Sequence, residues 1–133
     1  MDLTVSSTTL DELIRHAKAV YPFEACGLLI GRTSAERFVP VTNAAASASE
    51  YEMDPAELIA ALRELRDTGE KLIAIFHSHP NGPAEPSNRD IERAYYPEAA
   101  HLIVSLADRE RPQAVAFRIV DGEALPIELH VIV

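Results

Sequence analysis

The sequence predicts one mixed β-sheet with helices packed against it, an α/β or α+β fold, and three observations carry that reading. Short apolar runs at 25–30 and 71–77 are strand-length, and the helix opened by Asp54-Pro55 lies between them. A strand, helix, strand order of this kind suggests a crossover unit. Three more apolar runs follow, at 102–106, 114–120 and 127–133, with turn signals at 108–112 and at Asp121-Gly122.

Each element has its own signal. Thr9 followed three residues later by Glu12 reads as a capping box, opening a helix whose Leu10, Leu13, Ile14 and Ala17 form an apolar stripe. Pro22 ends it. The run at 25–30 is closed by Gly31-Arg32 and suits a buried strand, with 38–41 as its hairpin partner. Residues 43–50, rich in Ala and Ser, read as a loop. Asp54-Pro55-Ala56-Glu57 combines an N-cap, a proline at the first helical position and an acid at the third; Gly69 should end that helix. Residues 71–77 then form a buried strand, and 78–90 a loop opening into a helix that carries Ile91 and Ala94 and stops at Pro97.

Composition bounds the function. A chain of 133 residues with 47% hydrophobic residues supports one domain spanning 1–133. A net charge of -9 argues against nucleic-acid binding, which depends on clustered Lys and Arg, and favours a cationic or neutral partner. Cys26 is the only cysteine, so neither an intrachain disulfide nor a multi-cysteine zinc site can form, and a reducing cytoplasm is the expected compartment. The N-terminal stretch from Met1 to Ser6 lacks the basic start and apolar core of a signal peptide. No apolar run approaches the roughly 20 residues that span a bilayer.

The candidate chemistry lies between Ile73 and Asp90. An extended backbone through His77-Ser78-His79 puts both imidazoles on one side, because strand side chains alternate with a period of two. A hydrolytic zinc site needs three His, Asp or Glu ligands and one open position, and His77, His79 and Asp90 would supply that set. Pro83 and Pro86 restrict the intervening loop and lower the entropy lost on closing it. Ser87-Asn88-Arg89-Asp90 also fits a simple helix cap, and the two readings are compatible. Ser87 is a candidate donor to an oxyanion. For the general base, spacing cannot choose among 21 acids; Glu24 stands out because it directly precedes a buried run, although a solvated strand edge accounts for it equally well.

The order Glu24, then His77-Ser78-His79-Pro80, six residues, then Ser87-Asn88-Arg89-Asp90 resembles the JAMM (MPN+) metalloprotease motif without departure. The flanks Glu24-Ala25-Cys26-Gly27-Leu28-Leu29 and Asn81-Gly82-Pro83-Ala84-Glu85-Pro86 are similar to those of short bacterial, Mec-type members. The resemblance spans nearly the whole chain and leaves no room for an added ubiquitin-binding module. It implies a cytidine-deaminase-like three-layer α/β fold and one zinc ion held by His77, His79 and Asp90. It also implies a water polarised by Glu24 and a tetrahedral intermediate stabilised by Ser87. The implied substrates are ubiquitin-like or β-grasp sulfur-carrier proteins, cut after a C-terminal Gly-Gly, in some members with release of cysteine from a carrier adduct. Such a tail can lie as an extended strand beside the metal, with the 43–51 loop as one wall of its groove.

Two rival functions are weaker. A non-catalytic MPN-type scaffold would not be expected to retain Glu24, His77, His79 and Asp90. A deaminase would need cysteine ligands in a P-C-x-x-C segment, which a single cysteine cannot supply. Cys26 reads as a buried packing residue, and His16, His101 and His130 as structural or exposed ones. Glu85 reads as solvated, and Arg89 as paired with a partner or with the chain's own acids.

Overall fold

The computed structural model of the chain describes residues 2–133; Met1, which begins the N-terminal stretch read above, lies outside them. In chain order the elements are β1 (Asp2–Ser6), α1 (Ser7–Val20), β2 (Cys26–Gly31), β3 (Arg37–Val41), α2 (Pro55–Thr68) and β4 (Lys71–His79). They continue with α3 (Asn88–Glu92), β5 (Ala100–Ser105), β6 (Gln113–Val120) and β7 (Glu123–Ile132). The strands form one seven-stranded sheet in the order β1-β7-β6-β5-β4-β2-β3.

The two central buried strands, β4 and β5, run parallel, with Phe76 opposite Leu102 and His77 opposite Ile103. Helices cover both faces at this point, which is why both strands read as unbroken apolar runs rather than alternating ones. On one face Leu29, Ala74, Phe76, Leu102 and Val104 pack against Leu13 and Ala17 of α1. On the other, Leu28, Ile30 and Ile75 pack against Ala61 of α2. The result is the expected three-layer arrangement. The crossover does not join 25–30 to 71–77, since β2 and β4 pair antiparallel; β3, α2 and β4 form it, with β2 inserted antiparallel between the two strands. The sheet curls around α1 until its edges meet, Val5 of β1 bridging to Ala35 beyond the end of β2.

Several boundaries differ from the sequence reading. The five-residue strand β1 was not expected; its Leu3 and Val5 are buried while Asp2 is exposed, and it pairs parallel to β7 from the far end of the chain. The cap of α1 is Ser6, whose Oγ accepts the Thr9 N–H at 3.1 Å, so Thr9 and Glu12 do not form the capping box. Thr9 is buried and donates its hydroxyl to the Glu36 carbonyl instead. Strand β4 continues through His79, because β5 supplies ladder partners to Ser78 and Ser105 faces His79. Helix α3 stops at Glu92, well short of Pro97. The last strand, expected over 127–133, is β7 at Glu123–Ile132; as expected, Asp54 caps α2, Gly69 ends it at a φ of 74°, and Asp121-Gly122, both at positive φ, make the tight β6–β7 turn.

Candidate active site

Strand β4 delivers His77 and His79 to the α2 face of the sheet, where they are 1% and 9% exposed. Their Nε2 atoms lie 3.1 Å apart. Asp90, from the first turn of α3, places Oδ2 at 3.1 Å from each. Ser87 sets that position: its Oγ accepts the Asp90 N–H at 3.1 Å, and its own N–H donates to Asp90 Oδ2 at 2.8 Å. The helix cap and the convergence on the histidines are therefore one structure.

Protons can satisfy at most two of the three edges of this triangle, because each Nε2 offers either one N–H or one lone pair. His79 Nδ1 lies 2.7 Å from the Pro83 carbonyl, which only accepts, so a neutral His79 carries its proton there and turns a lone pair inward. His77 Nδ1 is buried without a partner. With both Nε2 atoms deprotonated, two lone pairs and a carboxylate would face one point. A tetrahedral ion with bonds of 2.0–2.1 Å has ligand atoms about 3.3 Å apart, and the 3.1 Å edges here fit one closely. Burial alone would raise the Asp90 pKa, but the hydrogen bonds from His77 and His79 hold it well below the usual carboxylate range. Burial also keeps His77 neutral by lowering its pKa.

Glu24 completes the cluster. It is 3% exposed, and its carboxylate lies with the His77 and His79 nitrogens in a group whose ligand atoms are all within 4.8 Å of one another, close enough to hold a metal ion. Oε1 has no hydrogen-bond partner. Burial pushes its pKa up to about 7, with Asp90 and Glu50 adding to the rise and His79 and Arg89 opposing it. A carboxyl group poised near neutrality both accepts and returns a proton readily.

Three supporting residues were not foreseen. Ser78, between the histidines but on the opposite face, accepts the Ala25 N–H on its Oγ at 2.8 Å, while its own N–H donates to the Ala25 carbonyl. It thereby fixes the residue next to Glu24, and a hydroxyl within a buried apolar strand was the available signal. Tyr51 stacks on the His77 ring at 4.6 Å between centroids. Ser105 donates to the Gly82 carbonyl at 2.6 Å and steadies the loop whose Pro83 orients His79.

A cleft of about 430 Å³ opens beside the cluster, lined by Glu24, Ala48, Ser49, His79, Gly82 and Ser87 among others. Ala48 and Ser49 of the 43–51 loop supply part of its wall. Glu85 lines the same cleft, and Arg89 pairs with Glu50 of this chain. Cys26, opposite His77 across the β2–β4 ladder, keeps its thiol 3.3 Å from the Val41 carbonyl, and burial pushes it up to about 12. It is a packing residue. His101 is buried, His16 packs on Phe38, and His130 is exposed beside Asp2. Among the described residues no helix is long and apolar enough to cross a membrane.

Residues 6–120 match the family described as prokaryotic homologs of the JAB domain. The chain is 33% identical to a CysO-cysteine peptidase of Mycobacterium tuberculosis, over 98% of this chain and 91% of that one. A probable TtuB-protein conjugate cleaving protease of Thermus thermophilus is 43% identical over 69% of this chain and 63% of its own length. In three dimensions the chain is similar to protein DSY2949 of Desulfitobacterium hafniense, with a TM-score of 0.86, 34% identity and coverage of 98% of this chain and 92% of that one.

Proposed function

We propose, from the premise that this chain belongs to the prokaryotic JAB-domain family, that it is a zinc-dependent peptidase. Its bond is the one after the C-terminal Gly-Gly of a ubiquitin-like or sulfur-carrier protein, and its product side includes amines such as cysteine. The observation that carries the reading is the convergence of His77 Nε2, His79 Nε2 and Asp90 Oδ2 at 3.1 Å beside a buried, unpartnered Glu24 oxygen. These three residues hold one zinc ion. The chemistry zinc supplies there is Lewis acidity toward a water and a carbonyl oxygen.

The protein's own groups do the rest. Glu24 would take a proton from the attacking water and return it to the leaving amine, its buried, unpartnered Oε1 being available for both tasks. Ser87 Oγ already accepts the Asp90 N–H, so its own hydrogen is free to donate to the oxyanion. The cleft wall of Ala48, Ser49, Gly82 and Pro83 offers little side-chain bulk and accommodates an extended tail without side chains. Residues 1–133 act as one domain, consistent with a single sheet running from Asp2 to Ile132. A cytoplasmic location belongs to the same reading, with Cys26, the single cysteine of the sequence, buried.

The names of the relatives support the substrate class: one is a peptidase acting on CysO-cysteine, another a probable cleaver of TtuB conjugates. The test is to incubate the zinc-loaded protein with Gly-Gly-terminated carriers bearing a cysteine or a peptide extension and read product masses. A carrier ending at Gly-Gly is expected, with no product from Glu24→Gln. Intact carriers, cuts elsewhere, or undiminished cleavage by Glu24→Gln would refute the proposal.

A further inference from the structure

We infer that Asn43 is the positioning residue of this site: its side-chain amide locks a strap, residues 43–53, that holds the main chain of Glu24 in place. The inference rests on the peptidase reading for its catalytic consequence and on hydrogen bonds for its geometry.

All four hydrogen-bonding positions of that amide are used. Nδ2 donates to the Glu24 carbonyl and to the Glu50 carbonyl, both at 3.1 Å. Oδ1 accepts the Ala45 N–H at 3.0 Å and the Glu52 N–H at 2.9 Å. Two donors meet only carbonyls and two lone pairs meet only N–H groups, so the amide has one orientation. The neck of the strap is closed by the Asn43–Met53 bridge and by Ala44 N–H to the Glu52 carbonyl at 2.7 Å.

What the strap holds is the catalytic carboxylate's backbone. Strand β2 begins at Cys26, and Ala25 is held by Ser78. Glu24 is one residue beyond, and its two main-chain groups both go to the strap: its N–H donates to the Ser47 carbonyl at 2.8 Å and its carbonyl accepts from Asn43. From the other end of the strap, Tyr51 stacks on His77 and Glu50 pairs with Arg89, the neighbour of Asp90. One side chain therefore couples the positions of the base and of the histidine pair. An aspartate at 43 keeps both acceptor roles and loses both donor roles, leaving the Glu24 and Glu50 carbonyls against a carboxylate.

The experiment compares wild type, Asn43→Asp, Asn43→Ala and Glu24→Gln, all as full-length zinc-loaded protein, on a carrier with a peptide extension. Both Asn43 variants are expected to keep their zinc, with kcat reduced on the order of 10–100-fold and KM changed less than about threefold. Amide hydrogen exchange on the same samples is expected to show the Glu24 N–H losing protection by about tenfold or more, while Leu102 in β5 keeps its own. Unchanged kcat in an active enzyme, or unchanged Glu24 protection, overturns the inference. Loss of zinc or of the folded state in both variants makes Asn43 a general structural residue and overturns it too. If wild type leaves the carrier intact, the peptidase reading fails, and the exchange measurement decides the Asn43 geometry by itself.

Discussion

On the proposed reading, Ser87 would perform two jobs with one hydroxyl. Its oxygen caps α3 by accepting the Asp90 N–H, and its hydrogen remains free for a developing oxyanion. Ser87→Ala removes both. The cap is worth about 1 kcal/mol, while loss of an oxyanion donor lowers kcat on the order of 100–1,000-fold. Steady-state kinetics with zinc content measured in parallel checks this, and Ser87→Thr, which keeps a hydroxyl, should retain most of the stability. At this scale the clustered residues were legible, because His77, His79, Ser87 and Asp90 lie within one short segment and strand periodicity puts the histidines on one face. Glu24 was only one unusual acid until the family motif singled it out. Asn43, Ser78 and Tyr51 were not legible as support, since their partners are remote: Ala25 and Ser78 are 53 positions apart, Asn43 and Glu24 are 19. Nothing in local periodicity encodes such pairs.

Elements were read well where a cap or a turn has one candidate and poorly where it has several. Asp54-Pro55 and Gly69 bound α2 without competitors. At α1 four consecutive hydroxyl residues, Ser6 to Thr9, compete for the cap, and burial of Thr9 against the β2–β3 connection decides for Ser6. Ser6→Ala should therefore cost about 1 kcal/mol in urea unfolding, whereas Glu12→Ala, at an exposed position, should stay within about 0.5 kcal/mol of wild type. The reverse ranking would restore the capping box. Strand β1 is too short to announce itself, and it exists because β7 and Ala35 satisfy its backbone. Tight packing at the start of the β2–β3 turn gives another expectation. A Cβ on Gly31 would lie 1.8 Å from the Ser34 carbonyl oxygen, so Gly31→Ala should destabilise by about 1–3 kcal/mol.

At the scale of the molecule, the curled sheet buries a set of ionisable groups whose pKa values couple folding to pH. His101, 4% exposed in β5, is pushed from 6.5 down to about 4, by burial first and then by His77. A lowered folded-state value means that the unfolded chain takes up the proton first as pH falls. Stability from this group is thus complete above 6.5 and is lost as pH falls toward 4. Glu24 has the opposite sign: its raised value withdraws stability as pH rises from 4.5 through 7. For His101 the change amounts to at most about 3 kcal/mol. Urea midpoints of the metal-free protein should fall less steeply with acidification in His101→Gln than in wild type, and equal slopes would contradict this.

The central claim is that β4 and α3 together build a nitrogen and oxygen site for zinc, with the neighbouring thiol of Cys26 left out. Zinc-edge X-ray absorption of the purified protein tests that most directly. The expected result is one zinc per chain with only nitrogen and oxygen donors at about 2.0–2.1 Å, lost in His77→Ala. A sulfur donor at about 2.3 Å, or protein that binds no zinc, would contradict it.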